Sequence, residues 1–207
     1  AALRRALDAR ELQVVFQPQA RIGNGEITGA EALLRWHSPE FGAVSPAEFV
    51  PLAEETGLIV AIGQYVMLEA CRMAAGWQWG GRIAVNVSPV QFRMTDVEEL
   101  VSDALIASGL DPSRLDIEIT ESTLVEADTR VPETLAALRR LGVGIAIDDF
   151  GTGYSSLNYL TRLSFDKLKI DQSFVARMLD SVADEAVVRS LIRLAAELGK
   201  STVAEGV

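Results

Sequence analysis

Apolar residues recur along this chain in two rhythms, one of period two and one of period three to four, and their exchange predicts the order of elements. Residues 1–11, "AALRRALDARE", carry Leu3, Ala6 and Leu7 at helical spacing, and Leu12 to Gln17 then turns β-branched and aromatic, as a strand does. "GNGE" at 23–26 supplies a turn into a second strand, Ile27 to Trp36, so these two form a predicted hairpin. Pro46 to Glu54 and Leu58 to Ala75 read as helices, the former announced by Ser45, Pro46 and Glu48. Beyond them the alternation becomes regular. Strands are predicted at Ile83 to Val87, Leu115 to Thr120, Gly144 to Asp148, Lys167 to Ile170 and Thr202 to Glu205. Helices are predicted at Val97 to Ser108, Arg130 to Leu141, Ser155 to Leu160 and Glu185 to Leu198, and Gly109, Gly142 and Gly199 follow helical runs as C-caps do.

Strand and helix alternating this often implies a parallel sheet, either closed as a barrel or open and doubly wound. An open sheet of the nucleotide-binding kind calls for a glycine-rich loop after an early strand, and the chain has none. An α/β barrel of the (β/α)8 type is therefore predicted. Such a barrel usually takes about 250 residues, and this chain has 207 and seven predicted strands, so it is expected to lack its last βα unit. The expected organisation is a leading helix over 1–11 and one barrel domain over 12–207. Because the chain opens on Ala-Ala and stops at "VAEGV" with no helix stop signal, it reads as a piece of a longer polypeptide.

Composition narrows the partners. Asp and Glu number 29 against 19 Lys and Arg, and the net charge of -10 argues against general affinity for duplex nucleic acid or anionic lipid. A phosphorylated ligand would need metal ions or a few placed basic groups. The single Cys71 excludes an intrachain disulfide framework and points to a reducing, cytoplasmic compartment. Gln64, Glu69 and Arg72 interrupt the most apolar stretch, 58–77, which reads as a core helix and not a membrane segment.

Candidate chemistry follows from strand parity, since residues two apart share a face. In "LDIEIT", Leu115, Ile117 and Ile119 point toward the helices while Asp116, Glu118 and Thr120 point toward the barrel axis. The same count brings Glu31, Asn86, Glu118, Asp148, Lys169 and Glu205 from six strands to one interior, most of them near the carboxyl ends where barrel enzymes place their chemistry. Asp149 falls just past its strand. Carboxylates converging in a low-dielectric site cannot all stay ionised unless something positive joins them. With Asn offering a carbonyl and no Cys or His in the set, Mg²⁺ or Mn²⁺ is preferred over Zn²⁺, and paired carboxylates can bridge two such ions.

The motifs "EALLRW" (31–36), "VNVSPVQF" (85–92), "IEITES" (117–122), "IDDFGTGYSSL" (147–157), "FDKLKIDQSF" (165–174) and "VAEGV" (203–207) occur in this order. Together they resemble the EAL-domain family of bacterial cyclic di-GMP phosphodiesterases. The resemblance implies a modified (β/α)8 barrel with an antiparallel first strand, and hydrolysis of cyclic di-GMP to linear pGpG with Mg²⁺ or Mn²⁺. It implies metal ligation by Glu31, Asn86, Glu118, Asp148 and Asp149, with Lys169 and Glu205 orienting or deprotonating the attacking water and Glu205 close to a metal. Gln17 matches a substrate-contacting glutamine, Arg35 a phosphate-binding arginine, and Glu121 a glutamate that holds the "DDFGTGYSSL" loop. A homodimer and an upstream GGDEF or sensory domain are further implications.

The residues themselves leave alternatives. Lys169 is either an active group or the neutralising partner of the acids. Arg35 is either a phosphate contact or a counter-ion for Glu31 or Glu54. Asp171 reads as the cap of a helix at Ser173 and His37 as solvent-facing. Cys71 reads as buried, and Trp36, Trp77 and Trp79 as packing residues. At the level of function, the alternatives to a cyclic di-GMP phosphodiesterase are a non-catalytic cyclic di-GMP receptor and a barrel enzyme for another phosphate ester.

Overall fold

The computed structural model of the chain describes residues 2–125, 130–151 and 163–207. Its strands are β1 (Leu12–Ala20), β2 (Ile27–Ser38), a short β3 (Gly42–Val44), β4 (Arg82–Asn86), β5 (Leu115–Thr120), β6 (Gly144–Phe150), β7 (Lys167–Ile170) and β8 (Ser201–Ala204). They form one curled sheet in the order β1-β2-β4-β5-β6-β7-β8, with β3 attached to β2. β1 runs antiparallel to β2, and every neighbour from β2 through β8 is parallel to the next. Among the described residues no pairing joins β8 back to β1. The architecture is thus an α/β half-barrel with the expected antiparallel first strand.

The helices are α1 (Ala2–Asp8), α2 (Pro46–Glu55), α3 (Leu58–Ala75), α4 (Pro89–Met94), α5 (Val97–Ser108), α6 (Glu121–Val125), α7 (Arg130–Arg140), α8 (Gln172–Arg177) and α9 (Val182–Glu197). Their starts are chemically explicit. Ser45 caps α2 with Pro46 in the first turn, Asp96 caps α5, Asp171 caps α8 by accepting from Ser173 N, and Ser181 caps α9. Ser181 moves the start of α9 three residues ahead of the expected Glu185. α5 ends on Gly109 at φ 69°, a left-handed conformation that glycine adopts without a Cβ clash.

α3 is 18 residues long, with a mean hydropathy of 1.4, and would pass for a membrane span by length and composition. Here it packs against α2, α4, α5 and β4, and its Ile59, Ile62, Val66, Met67, Ala70 and Ala74 are buried. Cys71 lies on the same buried face at 0% exposure, and burial pushes its thiol up to about 12, so it acts as a small apolar residue. Leu115, Ile117 and Ile119 of β5 belong to the hydrophobic core, all at or below 1% exposure. Each such side chain contributes about 1.5–3 kcal/mol of burial, which holds the apolar face of β5 in the core and leaves the acids on the opposite face.

Three short elements lie outside the expected list. β3 is too short for a periodic signal. α4 begins two residues after β4 and α6 directly after β5, and neither was among the expected helices. The helix expected at 155–160 lies outside the described residues.

Candidate metal centre

β5 carries two acids on its inner face, and both are buried, Asp116 at 1% and Glu118 at 2% exposure. They belong to different layers. In the lower layer Asp116 Oδ2 accepts from Arg82 Nε at 2.8 Å and from Lys167 Nζ at 2.6 Å, and its Oδ1 pairs with Arg82 Nη2. Across the sheet from Asp116 stands Gly144, where a Cβ would collide with Asp116 Oδ1 and the Arg82 guanidinium, so only glycine leaves room for the triad. Burial alone would raise the Asp116 carboxyl, but the Arg82 hydrogen bond and the Lys167 charge outweigh it and hold the group below the usual carboxylate range.

The upper layer, two residues further along β5 and β7, has the opposite balance. Lys169 is 1% exposed. Its Nζ lies 2.7 Å from Glu118 Oε2, 2.8 Å from Glu205 Oε1, 2.9 Å from Asp148 Oδ2 and 3.1 Å from Glu31 Oε2. Asn86 Nδ2 donates to Glu31 Oε1 at 2.8 Å. One ammonium thus faces four carboxylates. The Glu118 carboxyl is pushed up to about 8 by burial, with the Glu31 and Asp148 charges adding to the rise and Lys169 opposing it. Glu205 is raised by burial as well, against the hydrogen bond from Lys169. Burial would lower the Lys169 amine, but Glu118, Asp148 and Glu31 more than offset it and hold the group well above its ordinary range.

Asp149 required a device that parity could not foresee. β6 extends to Phe150, and its register against β7 shifts between Ile147 and Phe150. Within that bulge Asp149 sits at φ 53°, a left-handed conformation uncommon for any residue but glycine. Its backbone N donates to Asp148 Oδ1 at 2.9 Å, and Asp149 joins Asp148 and Glu205 as a group with one oxygen each within 4.8 Å of one another. Adjacent residues of a regular strand would point to opposite faces; the bulge turns both acids to one side. Asp149 therefore lies inside the strand, not past its end, and its carboxyl is raised by burial and by the Asp148 and Asp171 charges. A second group, Glu31, Glu118 and Asp148, meets the same distance limit, and Asp148 belongs to both. An all-oxygen donor set this close, short of positive charge, fits hard divalent cations.

The remaining candidates surround this centre. Gln17 is the cross-strand partner of Glu31 and is exposed. Arg35 is half-buried, and its Nη1 donates to Leu34 O at 3.0 Å. It pairs with neither Glu31 nor Glu54; Glu54 instead accepts from Ser88 Oγ at 2.6 Å. Glu121 Oε2 accepts from Gly151 N at 3.2 Å, within the glycine-rich motif, whose residues 152–157 lie outside the described ones. Glu205 follows β8 and extends its ladder by donating from N to Ile170 O at 3.2 Å. His37 is exposed, Trp36 is buried, and Trp77 stacks on the half-exposed Trp79.

The sequence reading missed the Arg82–Asp116–Lys167 triad. It also missed the support behind Asn86, where Ser88 and the buried Gln91 form a capping box that starts α4 and ties it to Glu54. The second was readable, because "SPVQ" is a capping-box pattern with proline in the first turn.

The EAL domain model matches residues 1–207. This chain belongs to the EAL-domain family. The EAL domain is 46% identical over 209 residues to the bifunctional diguanylate cyclase/cyclic di-GMP phosphodiesterase MucR of Pseudomonas aeruginosa, covering 99% of this chain and 30% of MucR. It is 43% identical over 211 residues to the oxygen sensor protein DosP of Escherichia coli, covering 100% of this chain and 26% of DosP. The solved structure of the PaMucR phosphodiesterase in complex with c-di-GMP superposes with a TM-score of 0.94 at 44% identity, over 99% of this chain and 85% of that one. The EAL domain therefore spans between a quarter and a third of these curated relatives.

Proposed function

We propose that this EAL domain is a divalent-metal-dependent phosphodiesterase that hydrolyses cyclic di-GMP to linear pGpG. The observation that carries the reading is the unbalanced upper layer, in which one ammonium, the only one there among the described residues, lies within 3.1 Å of four carboxylates. A site of that composition is arranged to receive more positive charge. Support comes from MucR, named a cyclic di-GMP phosphodiesterase, and from the PaMucR complex with c-di-GMP.

Glu31, Asn86, Glu118, Asp148 and Asp149 would hold Mg²⁺ or Mn²⁺, Asp148 being common to both groups of clustered carboxylates. Such ions, when bound, supply electrophilic activation of the phosphoester and stabilisation of the leaving oxygen. The chain's own residues do the rest. Glu205, grouped with Asp148 and Asp149 and beside Lys169, accepts a proton from the attacking water. Lys169, whose Nζ lies 2.8 Å from Glu205 Oε1, orients that water. Arg35, pairing with neither Glu31 nor Glu54, takes a phosphate oxygen, and Gln17, opposite Glu31 on β1, contacts the nucleotide.

Replacing Glu31 by Ala is expected to abolish pGpG release from cyclic di-GMP in Mg²⁺, with the circular dichroism spectrum unchanged. Undiminished hydrolysis by that variant would overturn the assignment. Binding of cyclic di-GMP by the wild-type chain without any pGpG in Mg²⁺ or Mn²⁺ would make the domain a receptor, and preferential cleavage of another phosphate ester would replace the substrate.

A further inference from the structure

The Lys169 ammonium occupies the place where the carboxylates meet. It touches all three members of the Glu31–Glu118–Asp148 group and two of the three in the Asp148–Asp149–Glu205 group. An ammonium has three N–H donors, yet four carboxylates lie within 3.1 Å of it. At least one of them shares a proton or relies on attraction alone. The side chain is also fully buried, reaching the acids through the interior of the half-barrel and not from solvent.

We infer that Lys169 is a displaceable internal cation: its ammonium holds the acidic centre together before metal arrives, and divalent ions must drive it from the meeting point of the acids to bind there. This deepens the proposed function and rests on its metal-dependent reading. The physical reason is like-charge exclusion. An Mg²⁺ ion bonded to carboxylate oxygens at about 2.0–2.1 Å cannot share their meeting point with an ammonium held at 2.7–3.1 Å from the same oxygens. Either cation can occupy the point where the acids meet, and the two repel each other there.

The lysine therefore has two successive positions. Before metal it closes the pocket and prevents the acids from driving the strand ends apart. Afterwards, its amine, released from Glu31, Glu118 and Asp148 but still on β7, is available to hold water beside Glu205. The centre then becomes competent for water attack only after metal has loaded. The chain thereby couples metal availability to activity through one side chain.

The test uses the metal-stripped chain and Mn²⁺ alone, without nucleotide. Mn²⁺ binding is followed by the electron paramagnetic resonance of the unbound ion and by calorimetry, in the wild type and in Lys169→Met, which keeps the length of the side chain without its charge. The metal-free variant is expected to melt lower than the metal-free wild type and to bind Mn²⁺ at least about tenfold more tightly, because the competing charge is gone. A lysine that only positions the carboxylates for metal would give the opposite sign, so equal or weaker Mn²⁺ binding by the variant overturns the inference. If Lys169→Met does not fold without metal, Mn²⁺ is expected to restore the fold, and failure to do so also overturns it. Absence of Mn²⁺ binding by the wild type would instead remove the metal-dependent function itself, so the two failures are distinguishable.

Discussion

Two layers of buried charge lie one above the other in this half-barrel, built from the same strands two residues apart. Asp116 and Glu118 share β5, and Lys167 and Lys169 share β7. In the lower layer one carboxylate is held by Arg82 and Lys167 and is depressed. In the upper layer four carboxylates compete for Lys169, and burial with like charge drives Glu118 and Glu205 upward. The lower layer satisfies itself and holds the strands. The upper layer is left short of positive charge, and such local frustration is what a site requires if it is to gain from a ligand.

The sharpest way to break the comparison is to remove the acid of the lower layer. Asp116→Ala leaves Arg82 and Lys167 facing each other without a carboxylate, and urea denaturation is expected to show a loss of about 3 kcal/mol. The lower end of the usual range applies because Arg82 and Lys167 keep 36% and 20% side-chain exposure. A loss no larger than that of a surface substitution would show that the triad is not structural.

The equivalent change above should act in the opposite direction. Glu118→Gln is expected to stabilise the metal-free chain at pH 7 by about 1–2 kcal/mol while removing the rise in melting temperature expected of the wild type in Mg²⁺. The sign follows from linkage. The Glu118 carboxyl has a folded-state value pushed up from 4.5 to about 8, so ionising it costs stability as pH rises through that window. The variant has no such cost. Melting curves of both proteins between pH 5 and 8, without metal, would show the difference widening with pH, and a constant difference would refute the cause.

The smallest effect is at acid pH. Because Asp116 is depressed in the folded state, its stabilising contribution is present above the unfolded carboxylate value near 4 and is lost as pH falls through the lower folded value. Asp116→Asn should flatten that part of the stability profile below about pH 4 and leave the slope between pH 5 and 8 intact. If the slope below pH 4 persists in the variant, another carboxylate carries it.

Much of the candidate site was legible because parity is a local property of strands. Glu31, Asn86, Glu118, Asp148, Lys169 and Glu205 were assigned to one interior by counting residues, and the structure brings them together. Asp149 was recognised as a neighbour of that group, but its route into it was not. The inward turn depends on a bulge against β7 and a left-handed backbone, neither of which is written in residues 144–150 alone. Of the short elements, α4 had a readable cap, whereas β3 exists only because β2 offers it an edge.

By itself, the order of residues determined the alternation of strand and helix, the inward face of each strand, the excess of acids and the absence of Cys or His among the candidate ligands. It could not decide which inward acid on β5 would be structural and which would be held in reserve. Asp116 and Glu118 have the same parity and are separated by one isoleucine. Their fates diverge because strand register sets Asp116 beside Arg82 and Lys167, and Glu118 beside Lys169 with Glu31 and Asp148. A carboxylate's free energy depends on the charges within a few ångströms of it, and those charges arrive from residues 21 to 138 positions apart in the chain. Only the pairing of the strands into one curled sheet brings them together.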